Sequence, residues 1–171
     1  MKLPPSVEDA INLQIRNELQ SHYNYLGMSA HFDTTPYKGF ATWFRGQAAE
    51  EYGHATKLMD YLRERNGMLK LFPLEGPPTE YGSAPVDTFQ LALGQEETVT
   101  QQITDLYELS QKERDFTTQH FLSWFLQEQV EEENTVSDMI DRLNLVGDNA
   151  AGLLQIDEEA GRRPQEVAPQ A

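Results

Sequence analysis

Residues 67–86 read GMLKLFPLEGPPTEYGSAPV, and within them Pro73, Pro77, Pro78 and Pro85 together with Gly76 and Gly82 forbid a continuous helix. On both sides the chain carries a helical period, so this stretch decides how the helices connect. Simple up-down bundles use short connections, whereas a stretch of this length suits a bundle with one long crossover. Reach permits it. Twenty extended residues span about 65 Å, while a helix of 27 residues is about 40 Å long.

Working outward, the periodicity predicts four long helices and a short fifth, with no segment alternating as a strand and no internal repeat. The first helix is expected from an N-cap at Ser6, with Glu8 and Asp9 in its first turn, through Ile11, Ile15, Leu19 and Leu26 to about Asp33, where Thr34-Thr35-Pro36 breaks it. The second carries Phe40, Phe44, Leu58 and Tyr61 and stops at Asn66-Gly67. The third is expected to begin at Asp87 and to hold Phe89, Leu93, Ile103 and Leu106; the fourth follows a tight connection near Arg114 with Leu122, Phe125, Val136, Ile140 and Leu143. The expected organisation is all-α and a single domain over residues 1–171. Its bundle covers about 6–144, the short helix about 149–160, and a mobile tail 161–171.

Each long helix has polar residues interrupting its apolar stripe. The first runs Ile11, Ile15, Glu18, His22, Tyr25, and the second Phe40, Phe44, Gln47, Glu51, His54, Leu58, Tyr61. The third runs Phe89, Leu93, Glu96, Thr100, Ile103, and the fourth Leu122, Phe125, Gln129, Glu132, Val136, with Glu128 and Glu131 on its flank. All four helices therefore deliver oxygen or nitrogen to mid-height. Carboxylates converging in one buried layer repel strongly, and divalent cations relieve that repulsion. One histidine among oxygen donors suits iron or manganese better than structural zinc, and about five ligands suit two ions sharing a carboxylate. Where a second Glu-x-x-His would complete the pattern of di-iron bundles, Gln129 and Glu132 stand instead, which predicts an asymmetric second position.

Composition narrows the chemistry further. The chain has 171 residues, 13 basic and 28 acidic, for a net charge of −15, a balance that disfavours nucleic acid and anionic membranes. No cysteine is present, which excludes thiolate ligands and cysteine nucleophiles. No apolar run is long enough to span a bilayer and the amino terminus lacks a signal-peptide pattern, so the expected address is cytoplasmic.

Five blocks together resemble the bacterial-type non-haem ferritins over about residues 6–160: Asn17-Glu18-Leu19, Ala49-Glu50-Glu51-Tyr52-Gly53-His54, Gln95-Glu96-Glu97, Phe121 to Phe125, and Glu128 to Glu133. The resemblance implies a ferritin-like four-helix bundle with one long crossover loop and a short fifth helix at its C-terminal end. It also implies a ferroxidase that takes Fe(II) with oxygen or peroxide as substrates, and a homo-oligomeric cage of about 24 subunits that stores ferric mineral. By position, Glu18, Glu51 and His54 would hold the first iron, with Glu51 as bridge, and Glu96 and Glu132 the second, beside Gln129. Glu50, Glu128 and Glu131 match a third iron site facing the cavity, although glutamates at this spacing equally suit a solvated face. Tyr25 matches an electron-donating tyrosine, with core packing as the alternative; Gln129 could instead simply bond a neighbour, and His22 and Trp124 read as packing residues. Tyr52 occupies the position of the haem-ligating methionine of bacterioferritins, so no haem is expected. A non-storage di-iron oxidase or an inert scaffold subunit are the competing functions.

Overall fold

The computed structural model describes residues 3–162. Among them are five helices: α1 Pro5–Asp33, α2 Lys38–Glu64, α3 Pro85–Lys112, α4 Phe116–Val146 and α5 Ala150–Ala160. The protein is an all-α four-helix bundle with a short additional helix, in which α1 packs on α2 and on α3, α3 on α4, and α5 lies against α2 and α4.

Residues 65–84 form the long connection, and their hydrogen bonds show its course. Asn12 donates to the Met68 carbonyl (3.0 Å) and accepts from the Lys70 amide (2.7 Å), while one turn pair further on Gln20 accepts from the Glu75 amide (2.8 Å). The Tyr81 ring then reaches His31, 5.2 Å between centroids. The segment therefore runs along α1 from residue 12 to residue 31, about 28 Å of helix, and returns the chain to the far end of the bundle. Gly27 marks its closest approach, since a Cβ there would lie 2.2 Å from the Tyr81 hydroxyl and 2.8 Å from Pro77.

Local chemistry sets the ends. Asn66 (φ 56°) and Arg114 (φ 57°) take left-handed conformations at the close of α2 and α3, and the next amides, Gly67 and Asp115, bond back to Leu62 and Ser110 at 2.8 Å. Asp115 then caps α4 at Thr118, and Asn149 caps α5 at Gly152. Two expected starts move. α1 begins at Pro5 rather than after a Ser6 cap, and α3 at Pro85 rather than Asp87, because proline fits a first turn whose N–H has no intrahelical partner. Asp87 lies inside α3, and its carboxylate accepts from the Ser83 and Ala84 amides at 3.0 and 2.9 Å.

No side chain of its own caps α2. Asp157 of α5 accepts from the Phe40 amide at 2.7 Å instead, and Gly39 permits the approach, since a Cβ there would fall 1.7 Å from the Asp157 carbonyl oxygen.

The core has two apolar halves. One gathers Tyr25, Phe32, Phe40, Phe44 and Phe89; the other gathers Ile11, Ile15, Leu58, Leu62, Ile103, Leu122 and Phe125. Leu26, expected in the stripe of α1, is exposed, as are Leu13 and Tyr23 on that helix and Met68, Leu71 and Phe72 in the crossover. The tail expected from residue 161 lies, beyond Arg162, outside the described residues. No helix among the described residues is long and apolar enough to cross a membrane.

Candidate metal centre

Between the two apolar halves lies a polar layer to which all four long helices contribute. Glu18, Glu51 and Glu96 are 0% exposed, His54 and Gln129 2%, and Glu132 6%. The spacing of three and four residues that puts Phe44 and Leu58 inward does the same for Glu51 and His54 between them. Unpaired burial of this kind costs several kcal/mol per ionised group, by order of magnitude.

The partners are distributed unevenly. Gln14 donates to Glu18 Oε1 at 2.8 Å, Tyr25 donates its hydroxyl hydrogen to Glu96 Oε1, and Gln129 Nε2 lies 3.3 Å from Glu96 Oε2 and from Thr100 Oγ1. Gln47 Nε2 donates to Glu132 Oε2 at 3.0 Å and to Glu50 Oε2 at 2.7 Å. Glu51 differs from all of these: neither of its oxygens has a hydrogen-bond partner, and the same holds for Glu18 Oε2 and His54 Nδ1. His54 Nδ1 stands 3.8 Å from Glu18 and 3.7 Å from Glu51, beyond hydrogen-bond reach.

These unpaired atoms converge. Glu18, Glu51 and His54 each offer one ligand atom, all within 4.8 Å of one another, and His54, Glu128 and Glu132 form a second such group. The donors are carboxylate oxygen and imidazole nitrogen, which fit a divalent transition-metal ion such as iron or manganese. Of the two groups, Glu51 belongs only to the first, with both of its oxygens free of hydrogen bonds.

Without a cation the layer redistributes protons. Burial and repulsion from Glu96 push the Glu51 carboxyl well above the usual range. Burial, Glu96 and Glu50 raise Glu132 to about 8, and burial with the Glu18 charge raises Glu96. For Glu18 burial also works upward, but the attraction of His54 outweighs it and holds the group below its ordinary value. His54 is the reverse case: burial opposes its charge, yet Glu128, Glu18 and Glu51 hold the imidazolium well above the usual histidine range. Burial and the carboxylates of Glu96, Glu51 and Glu132 keep the Tyr25 phenol protonated.

The structure thus brings Glu18, Glu51, His54, Glu96, Gln129 and Glu132 into one layer, with Tyr25 beside Glu96. Glu128 faces the other ring nitrogen of His54, at 3.9 Å, and Glu50 joins the layer through Gln47. Glu131 is exposed and falls in neither ligand group. His22 is half-buried with a ring nitrogen 2.6 Å from the Ala48 carbonyl oxygen, and Trp124 packs edge-on against His54 with Lys57 over its face. Of the orienting amides, Gln47 stood in the inward stripe of the second helix with no role assigned and Gln14 escaped the sequence reading, though each lies one helical turn before a buried glutamate, four residues from Glu51 and from Glu18.

A family model described as a ferritin-like domain matches residues 8–146. The bacterial non-haem ferritin of Staphylococcus haemolyticus (strain JCSC1435) is 38% identical over 155 residues, spanning 91% of this chain and 93% of that protein. The one from Bacteroides fragilis (strain YCH46) is 37% identical over 157 residues, spanning 92% and 97%. Among solved structures, an open-pore ferritin from the hyperthermophilic archaeon Archaeoglobus fulgidus superimposes with a TM-score of 0.93 at 39% identity, over 96% of this chain and 100% of its own. An engineered closed form of the A. fulgidus ferritin gives 0.94 at 40%, with the same coverage.

Proposed function

The chain belongs to the ferritin-like family, and from that premise we propose that it is an iron-storage ferritin whose ferroxidase centre is the polar layer between α1, α2, α3 and α4. The observation that carries this reading is the set of buried, unpaired donor atoms on Glu18, Glu51 and His54. Glu18, Glu51 and His54 hold the first ferrous ion; Glu51 bridges to the second, which Glu96 and Glu132 serve beside Gln129. Two ferrous ions supply two electrons, which with two protons reduce oxygen to hydrogen peroxide, or peroxide to water. The protein's part is to bring the metals together and to take up and release protons at Glu51, Glu132 and His54. Where only one ferrous ion is oxidised, Tyr25, hydrogen-bonded to Glu96, would supply the second electron to the oxidant while its proton passes to the Glu96 carboxylate.

Glu50, Glu128 and Glu131 form the onward path for ferric iron, with Glu128 the first step because it shares His54 with the layer. The stored mineral requires a closed assembly, a homo-oligomeric cage of about 24 copies by family membership, working in the cytoplasm without haem. Exposed Leu13, Leu26, Leu71 and Phe72 support the burial of this face against another copy. The donor set on all four helices argues against an inert scaffold. Anaerobic titration with ferrous iron is expected to show two ions per subunit, and admission of air rapid oxidation that Glu51→Ala abolishes. Undiminished oxidation in that variant, or a particle no larger than a dimer on sizing, overturns the reading.

A further inference from the structure

Gln47 is 3% exposed, a neutral side chain placed between two carboxylates from different parts of the bundle. It lies on α2 one turn before Glu51. Its Nε2 lies 3.0 Å from Oε2 of Glu132 on α4 and 2.7 Å from Oε2 of Glu50 on its own helix. An amide nitrogen carries two hydrogens, so both are used, one for each glutamate. The two acceptors differ in surroundings: Glu132 is buried in the polar layer, and Glu50 is half-buried at its edge. Glu132 also belongs to the ligand group with His54 and Glu128.

We propose that Gln47 is a positioning residue that ties Glu132 to Glu50, reserving one Glu132 oxygen for the amide and leaving the other to the metal. The proposal rests on the di-iron reading above. Three features of the geometry support it. Gln47 donates to Glu132 Oε2 at 3.0 Å, so its amide fixes where that oxygen lies in the layer. A neutral amide supplies the tether without adding the positive charge of a lysine, which would oppose cation binding, or the negative charge of a glutamate, which would add to the repulsion. Finally, the Gln47 amide nitrogen is spent on Glu132 and Glu50, so its action on the layer passes through Glu132.

The test uses the assembled, metal-stripped protein and Co²⁺, a redox-inert probe whose visible spectrum reports coordination. Wild type is expected to bind two Co²⁺ per subunit in resolvable steps. Gln47→Met keeps the side-chain length and removes the donor; the first step is expected to stay within threefold of wild type, while the second weakens at least tenfold. The second step's absorption band changes as the released Glu132 oxygen becomes free to coordinate. Gln47→Asn is the companion variant, polar but shorter by about 1.5 Å, too short to bridge both glutamates, and the same split is expected. Both affinities staying within threefold of wild type, or both steps weakening equally, overturns the proposal, as does failure of both variants to fold, since Gln47 would then serve the fold. If wild type itself binds no pair of Co²⁺ ions, it is the di-iron reading that fails, and the two failures are told apart by which protein shows them.

Discussion

Replacing Glu51 with glutamine should stabilise the metal-free protein and at the same time remove its response to metal. In the metal-free state Glu51 is 0% exposed, neither oxygen has a donor, and Glu96 and Glu18 repel its charge. Leaving a buried polar group unsatisfied costs roughly 1–3 kcal/mol. Glutamine keeps the shape, needs no proton drawn from solvent at neutral pH, and adds an N–H that can reach the unpaired Glu18 Oε2. A gain of about 1–3 kcal/mol follows, and at roughly 2–4 °C per kcal/mol for a chain of this size the melting temperature should rise by about 2–12 °C. Metal reverses the order. A ligand at a hundredfold over its dissociation constant adds about 2.7 kcal/mol per site, and an amide cannot replace the bridging carboxylate. Scanning calorimetry of chelator-treated protein with and without Zn²⁺ reads both halves: the variant should melt above wild type without metal and below it with metal. A metal-free variant less stable than wild type by more than about 1 kcal/mol, or one that keeps the full Zn²⁺ shift, refutes the account of Glu51 as the charge that metals neutralise.

The titration of Glu132 sets a pH dependence. Its carboxyl is raised from 4.5 to about 8 in the folded protein, so the fold binds the extra proton between those values, and this contribution is fully present below 4.5 and lost as pH rises through 8. Glu132→Gln, neutral throughout, should therefore gain on metal-free wild type in urea unfolding as pH climbs from 5 to about 8; a gap that stays constant or narrows sinks the assignment. Protonated Glu51, Glu132 and His54 also mean that metal binding at pH 7 expels protons, and a pH-stat should record release with each anaerobic addition of Fe(II) beyond that of a protein-free control; release no greater than the control counts against it. Tyr25→Phe removes the hydroxyl that bonds Glu96 while keeping the ring that packs on Phe44; ferrous binding should change less than threefold and oxidation should slow by about a hundredfold, the low end of what one positioned proton donor contributes. Gly39→Ala sets a Cβ against the Asp157 carbonyl oxygen and should cost about 1–3 kcal/mol, with a tryptophan fluorescence change because Trp43 lines the cleft beside Glu159 and Ala160; unchanged stability would show α5 to dock more loosely.

The four helices and the crossover were legible because prolines and glycines at 73–85 end one helical period before another begins. The buried polar layer was legible for a related reason: glutamate and histidine stand at positions where the period demands carbon. Less visible were features that depend on neighbours in space. Pro5 and Pro85 begin helices because their missing N–H falls in the first turn, while Ser6 and Asp87, which resemble caps in sequence, lie inside. Leu26 counted as core by its apolar character, yet faces outward with Leu13 and Tyr23, a face that sequence periodicity cannot tell from an interior one. Gln14 reads as an ordinary helix former, and Gln47 as an inward polar residue without a task, until the distances to Glu18, Glu50 and Glu132 give them one. Asp157 capping α2 across 117 residues has no local signal at all.

The position of the layer and its asymmetry together explain why it suits a metal in transit better than one held permanently. On the proposed reading, apolar halves above and below supply the burial that offsets the carboxylates, which lets the site empty and refill without unfolding the bundle. Within the layer the two ends differ. Glu18 and His54 present unpaired atoms toward Glu51, whereas Glu96 is already engaged by Tyr25 and Gln129, and Glu132 by Gln47. A histidine in place of Gln129 would bring a second nitrogen donor to the second position, and the glutamine instead spends its amide on Glu96. On the proposed reading, an ion at that position must displace existing hydrogen bonds to be held and is surrendered when they re-form, and Glu128, shared through His54, is the nearest carboxylate to receive it.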